Sequence, residues 1–242
     1  MKSVRIYQAG QLHAGESIEL DKTASNHLIR VLRFKNQQIF TMFNGAGGEY
    51  TVQLEISGKK AIAHIQSFTE TRNESNLKIH LLQGISKGDR MDFAIQKSIE
   101  LGAHKITPII CQRTVVNTKG DRLDKKLTHW RNIAISACEQ SGRNYLPEIS
   151  TACHFHDINF TNPDSLKIIL DPLSSHSMKN IKPTSNCVTI FIGPEGGFTN
   201  NEIELTKEAG FNGVTLGPRI LRTETAALAA ITSAQLLWGD LA

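Results

Sequence analysis

The chain has 242 residues, 40% of them hydrophobic and 21% charged, and 27 Lys and Arg against 23 Asp and Glu leave a formal charge of +4. That is enough chain for one large or two small domains with a proper apolar core, and the mix excludes disorder. The longest apolar runs, VTIFI and ITPII, are far too short to span a bilayer, and MKSVRIYQAG lacks an apolar h-region, so no membrane is expected and a cytoplasmic location is.

From Ser3 to about Phe68 short alternating segments read as strands: VRIYQ, SIELD, QIFTMFN, YTVQLEI and KAIAHIQSF, with NGAGGEY as a Gly-rich hairpin turn. SNHLIRVLRF breaks the alternation: Leu28, Val31 and Leu32 recur at helical spacing while Arg30 and Arg33 project elsewhere, which predicts a short helix. The polar run TETRNESN, Thr69 to Asn76, is the expected linker, giving a β-rich domain over 1–72 and a second domain over 73–242.

In the second domain strands alternate with helices. LKIHLLQGI is followed by a helix from about Asp89 to Leu101, with Met91, Ile95 and Ile99 stacked at i, i+4 and Gly102 ending it. KITPII precedes a long helix marked by Leu123, Leu127, Trp130, Ala134 and Ala137, with Gly142 as its cap. LKIILDP, VTIFIGP and GVTLGP are nearly continuous apolar runs, the pattern of parallel strands buried on both faces. The class is therefore α/β.

Two consecutive strands each end in Gly-Pro. VTIFI runs into GPEGGF, after which Thr199 and Glu202 have the form of a capping box; GVTLG runs into GPRILR, after which Thr223 is placed to cap an Ala-rich helix. Ligands of open parallel sheets bind at the carboxyl ends of strands, where glycines let backbone groups approach them, so the paired loops predict a pocket. Neither loop matches GxxxxGK[ST] or GxGxxG, which argues against a dinucleotide. Cys111, Cys138, Cys153 and Cys187 lie far apart and His154 with His156 has no further ligands nearby, so reduced thiols and no metal are expected.

FIGPEGGFTNNEI followed by LGPRILRTETAALAA resembles the small-subunit ribosomal RNA (uracil-N3)-methyltransferases, within the SPOUT class whose C-terminal chain forms a trefoil knot. HLIRVLR resembles the family's PUA-like RNA-binding barrel domain, and EQSGR, Glu139 to Arg143, is another family signature. The resemblance covers the whole chain. It implies S-adenosylmethionine as methyl donor, a uridine of 16S ribosomal RNA in the small ribosomal subunit as target, and a homodimer. It also implies a cofactor wall of Gly193, Pro194, Glu195 and Gly196 facing Leu216, Gly217 and Leu221, with Leu170, Arg222 and Thr223 beside them.

Uracil N3 must lose a proton as it takes a methyl group. Arg222 is a candidate to stabilise charge on a carbonyl oxygen, and Glu195 or Glu224 to accept the proton or orient the base. The competing expectation is a structural ion pair between Arg222 and Glu224. Arg5, Arg30, Arg33, Lys35 and Arg143 are candidate RNA contacts, since arginine forks match phosphate geometry; a solvated basic face is the alternative. Two other functions stay open: a ribosome-associated RNA-binding protein without catalysis, and a nucleotide-binding enzyme using the Gly loops for phosphate. A methyltransferase of another RNA nucleotide is a variant of the first reading. The intact double loop favours methyl transfer, because a binding module needs no cofactor pocket and a phosphate site would want a Lys.

Overall fold

The computed structural model describes residues 4–58, 60–71, 73–116, 121–158 and 164–241. The chain divides into two units, Met1–Glu74 with Cys138–Leu146, and Ser75–Ala137 with Pro147–Ala242.

The alternating segments of the first unit become β1 (Arg5–Tyr7), β2 (Ser17–Glu19), β3 (Ile39–Phe43), β4 (Glu49–Ser57) and β5 (Lys60–Thr69), in the order β1-β3-β4-β5-β2. Among the described residues only the β1–β3 pair is parallel. No pairing joins β1 to β2 among the described residues, so these two strands are the edges of a five-stranded sheet and the expected barrel is not closed by hydrogen bonds there. Its core is the inward set of these strands, including Ile6, Phe40, Val52, Leu54 and Ile65.

Helix α1 (Lys22–Asn26) is started by Asp21, whose Oδ1 accepts from the N–H of Thr23 and of Ala24 at 2.8 Å each. The predicted helix over HLIRVLRF is a π-helical turn, His27–Val31, in which Leu32 N–H reaches back to His27 O. The turn buries Leu28 and leaves Arg30 and Val31 exposed, and Arg33 follows at φ 53°, a left-handed value that costs a non-glycine residue energy. The predicted helical face differs accordingly: Val31 points outward because the extra residue per turn shifts the register.

The second unit is built from β6 (Lys78–Gly84), α2 (Asp89–Glu100), β7 (Ala103–Ile110), α3 (Asp121–Ser141), β8 (Glu148–Ile149), β9 (Cys153–His154), β10 (Leu166–Leu170), β11 (Cys187–Ile192), α4 (Asn200–Glu208), β12 (Asn212–Val214) and α5 (Thr223–Trp238). Among the described residues its seven strands are all parallel, in the order β12-β10-β11-β6-β7-β8 with β9 also on β7. The last turn of α3 clusters with the first unit. After β11 the chain goes out to the edge strand β12 and then returns to the centre, where α5 packs on β11, β6 and α2. The parallel order and this return agree with the arrangement that the SPOUT resemblance implies.

Small side chains allow that close return: Ala226, Ala227, Ala230 and Ala234 of α5 are buried. Gln235 locks the far end, its Nε2 donating to Leu101 O at 3.2 Å and its Oε1 accepting from Ser75 Oγ at 2.8 Å.

His80 of β6 shares a 2.8 Å hydrogen bond with Thr107 of β7, and burial, reinforced by Lys105, lowers its pKa from 6.5 to about 4. Glu148 opposes the shift and His104 adds to it. Folding therefore costs nothing at His80 above pH 6.5, where the ring is neutral in both states. Stability is lost as pH falls from 6.5 towards 4, where only the unfolded chain takes up the proton, and the loss levels off at about 3 kcal/mol. Urea denaturation at pH 7 and pH 4 should show His80→Gln losing less stability than the wild type by about that amount.

Candidate active site

The carboxyl ends of β10, β11 and β12 open onto one cavity of about 520 Å³. β10 contributes Leu170 to Leu173, β11 contributes Ile192 to Glu195 with Gly197 and Phe198, and β12 contributes Val214 to Leu216. The stretch Arg219 to Glu224 and Ala226 close the other side. Of the expected cofactor residues, Leu170, Gly193, Pro194, Glu195, Leu216, Leu221, Arg222 and Thr223 line it.

Gly196 and Gly217 are not among the lining residues. Gly196 is held from behind, its carbonyl accepting from Arg113 Nη1 at 3.1 Å, and an added Cβ would meet the Arg113 Cβ at 2.9 Å. Gly217, at φ 85°, serves the turn itself, its carbonyl accepting from Thr215 Oγ1 at 3.1 Å.

The expected cap at Thr223 is corrected. Arg222 occupies the N-cap position of α5 without a side-chain cap, and Thr223 is the first helical residue. Its hydroxyl donates to Gly193 O at 2.6 Å and accepts from Gln83 Nε2 at 2.9 Å, which ties the start of α5 to the ends of β11 and β6. At the end of β6 only glycine fits position 84, because a Cβ there would run into the backbone of Gly193 and Pro194. The capping box of α4 is present as expected: Glu202 N–H donates to Thr199 Oγ1 at 3.2 Å, and Thr199 N–H to Glu202 Oε2 at 2.8 Å. Glu202 Oε1 also accepts from Gln112 N–H at 2.9 Å, and Arg113 donates to Phe198 O, so the GPEGGF loop is held at both ends.

The charged groups divide by depth. Arg219 and Arg222 are exposed at the mouth. Glu195 Oε1 accepts from Lys87 N–H at 2.8 Å and lies 3.5 Å from Arg90 Nη1, whereas Glu195 Oε2 is buried without a hydrogen-bond partner. Glu224 Oε2 is likewise buried and unpaired. No ion pair joins Arg222 to Glu224 among the described residues, so the structural-pair alternative is not what the fold builds. Arg90 was missed in the sequence, although it stands at the start of α2 just beyond the Gly-containing end of β6, a third strand end facing the same cavity.

The candidate RNA residues separate in the same way. Arg30, Arg33 and Lys35 are exposed. Arg5 is turned inward: Nη1 donates to Glu49 at 2.6 Å, Nη2 donates to Arg143 O and Asn144 Oδ1, and the guanidinium lies 4.9 Å from the Phe43 ring centroid. Arg143 is 5% exposed and grips Glu74 with two bonds, Nε to Oε1 at 2.8 Å and Nη2 to Oε2 at 2.5 Å. Glu139 accepts from Tyr7 N–H at 3.0 Å, and burial pushes its carboxyl up. EQSGR thus serves the interior of the first unit, and the RNA expectation for Arg5 and Arg143 is withdrawn on that ground. Arg143→Ala should lower stability to chemical denaturation by about 3–5 kcal/mol, the cost of leaving a buried carboxylate unpaired. A loss below about 1 kcal/mol would show the pair to be merely superficial.

Residues 73–235 match the family model of the RNA methyltransferase domain, and residues 20–66 match that of the RNA methyltransferase PUA domain. A ribosomal RNA small subunit methyltransferase E of Buchnera aphidicola from Schizaphis graminum is 38% identical over 239 residues, covering 98% of this chain and 97% of that protein. The chain belongs to the ribosomal RNA small subunit methyltransferase E family. The Bacillus subtilis member of the family is 31% identical, with 95% of both chains covered. The family's structure from Neisseria gonorrhoeae, bound to S-adenosyl methionine, matches over the whole of both chains with a TM-score of 0.91 and 40% identity. A methyltransferase of Legionella pneumophila in complex with the same cofactor matches over both chains with a TM-score of 0.96 and 42% identity. No helix is long and apolar enough to cross a membrane, and no group of His, Cys, Asp and Glu able to hold a metal occurs, among the described residues.

Proposed function

We propose that the chain binds S-adenosylmethionine in the cavity at the ends of β10, β11 and β12 and methylates N3 of a uridine in 16S ribosomal RNA of the small ribosomal subunit, working as a cytoplasmic homodimer. The observation that carries the reading is the pair of buried, unpaired carboxylate oxygens, Glu195 Oε2 and Glu224 Oε2. A buried carboxylate oxygen without a partner is costly, and a ligand that brings it a positive charge or a hydrogen-bond donor removes that cost. S-adenosylmethionine carries a sulfonium and an ammonium, while a phosphate would be repelled, which disfavours the nucleotide-phosphate alternative.

Backbone at Gly193, Leu216 and Leu221, with the apolar surface of Leu170, suits an adenosine, and Glu224, which borders this cavity, suits the cationic end. When bound, the cofactor supplies a methyl group on a positively charged sulfur that leaves as a neutral thioether. The chain's own groups act on the base. Glu195 Oε2 accepts the N3 proton, and Arg222 donates to a carbonyl oxygen of the base, stabilising the charge that N3 deprotonation delocalises. Lowering the N3 pKa by two takes about 2.7 kcal/mol, within reach of one aimed guanidinium.

Arg30, Arg33 and Lys35 are the proposed phosphate contacts, displayed together by the π-helical turn and the strained Arg33 backbone. Phe93 of α2 and Leu236 and Leu237 of α5 are exposed apolar residues that support pairing with a second copy. Calorimetric titration and thermal melting test the cofactor reading. S-adenosylmethionine at a hundred times its dissociation constant should stabilise the fold by about 2.7 kcal/mol, and ATP should not. No heat and no shift with S-adenosylmethionine would sink the assignment.

A further inference from the structure

The end of β6 carries a polar side chain among apolar ones. Leu81, Leu82 and Ile85 are buried around it, and Gln83 itself has no exposed surface. It stands in register with Ile192, the last residue of β11. Its Nε2 donates to Gly84 O at 3.1 Å and to Thr223 Oγ1 at 2.9 Å, while its Oε1 is buried without a hydrogen-bond partner among the described residues. That orphaned acceptor is a cost that an apolar side chain of similar shape would not carry, so packing alone does not account for an amide here.

The direction of this chain of bonds is fixed by its ends. A backbone carbonyl can only accept, so Gly84 O requires the NH2 side of the amide, and Gly193 O, 2.6 Å from Thr223 Oγ1, requires the threonine proton. The hydroxyl keeps its lone pairs, and one of them takes the second Gln83 N–H. Thr223 is 6% exposed, so the relay runs inside the protein. It joins the two walls of the cofactor cavity: Gly193 belongs to the wall after β11, and Arg222 and Glu224 flank Thr223 on the wall made by the start of α5. Because α5 starts without a side-chain cap, the grip of Thr223 on Gly193 O sets where its first turn stands.

On the methyltransferase reading above, we propose that Gln83 is a positioning residue for methyl transfer, holding the Thr223 hydroxyl and through it the α5 wall, with Arg222, in place against the β11 wall. Gln83 does not line the cavity and acts through Thr223, which does. Each wall keeps its own cofactor contacts after a small shift, whereas transfer in line with a base does not tolerate it: a misplacement of about 1 Å costs about a hundredfold.

Gln83→Met keeps the unbranched shape and removes the amide. In the full chain, with saturating S-adenosylmethionine and small ribosomal subunits from cells lacking the protein, its single-turnover transfer should fall about a hundredfold, while the cofactor dissociation constant measured by calorimetry rises less than about tenfold. Thr223→Val should show the same split, and Thr223→Ser, which restores the hydroxyl, should regain at least about tenfold of the rate lost by Thr223→Val. Since one residue works through the other, combining Gln83→Met with Thr223→Val should give a rate within about threefold of the slower single variant. Transfer by folded Gln83→Met within about threefold of the wild type overturns the proposal and leaves the amide in the framework alone. A loss of cofactor affinity as large as the loss of rate overturns it too, as does multiplication of the two losses in the double variant. Should Gln83→Met fail to fold, the Thr223 pair decides, a Ser variant as slow as the Val variant counting against. Failure of the underlying reading looks different: the wild type itself would neither bind the cofactor nor transfer a methyl group.

Discussion

Glu195→Gln is expected to fold, to keep its S-adenosylmethionine affinity within a few-fold, and to lose about a thousandfold in methyl transfer, the middle of the range for removing a general base. The amide oxygen still accepts from Lys87 N–H, as Glu195 Oε1 does at 2.8 Å, so the loop after β11 stays in place while the proton acceptor is gone. The pH profile separates this role from a structural one. Without the carboxylate, N3 must ionise unaided, so the residual rate should climb about tenfold per pH unit above neutrality, and the wild-type profile should be flatter. A variant with a uniformly reduced rate and the wild-type profile would place Glu195 in the framework alone.

Arg222→Ala carries the second large effect. Arg222 is exposed, caps α5 only through its backbone, and has no ion pair with Glu224, so the variant should fold and keep most of its cofactor affinity. Single-turnover transfer on small subunits at saturating RNA and cofactor should fall at least about a hundredfold, or roughly 2.7 kcal/mol, as when one aimed electrostatic group is removed. Arg222→Lys should recover little, because a point charge does not reproduce a planar fork. Near-normal transfer by the alanine variant would return Arg222 to the surface.

The strand pattern of both units was legible because alternation and continuous apolar runs report local burial directly. The cavity at the ends of β11 and β12 was legible for a related reason, since Gly-Pro after an apolar strand marks a backbone turned for close approach. What could not be read was convergence in space. Lys87 and Arg90 follow β6, and only the order β10-β11-β6 brings that strand's end beside the Gly-Pro loop. Whether a cation is free is equally non-local: Arg143 is neutralised by Glu74, 69 residues earlier, and Arg5 by Glu49, 44 residues on, so neither is available to RNA. The cap assigned to Thr223 failed by one position, because its hydroxyl bonds Gly193 across the return path and not its own helix. Glu224 looked like an ion-pair partner two residues from Arg222, but the chain turns into the helix between them, no ion pair forms, and Glu224 Oε2 is left buried without a partner.

N3 methylation is tested most directly by comparing small-subunit ribosomal RNA from cells with and without this protein, digested to nucleosides and analysed by mass spectrometry with N3-methyluridine as the standard. N3-methyluridine should be present with the protein, absent without it, restored by the wild-type chain and not by Glu195→Gln. An unchanged nucleoside profile in its absence, or loss of a different methylated nucleoside, would contradict it.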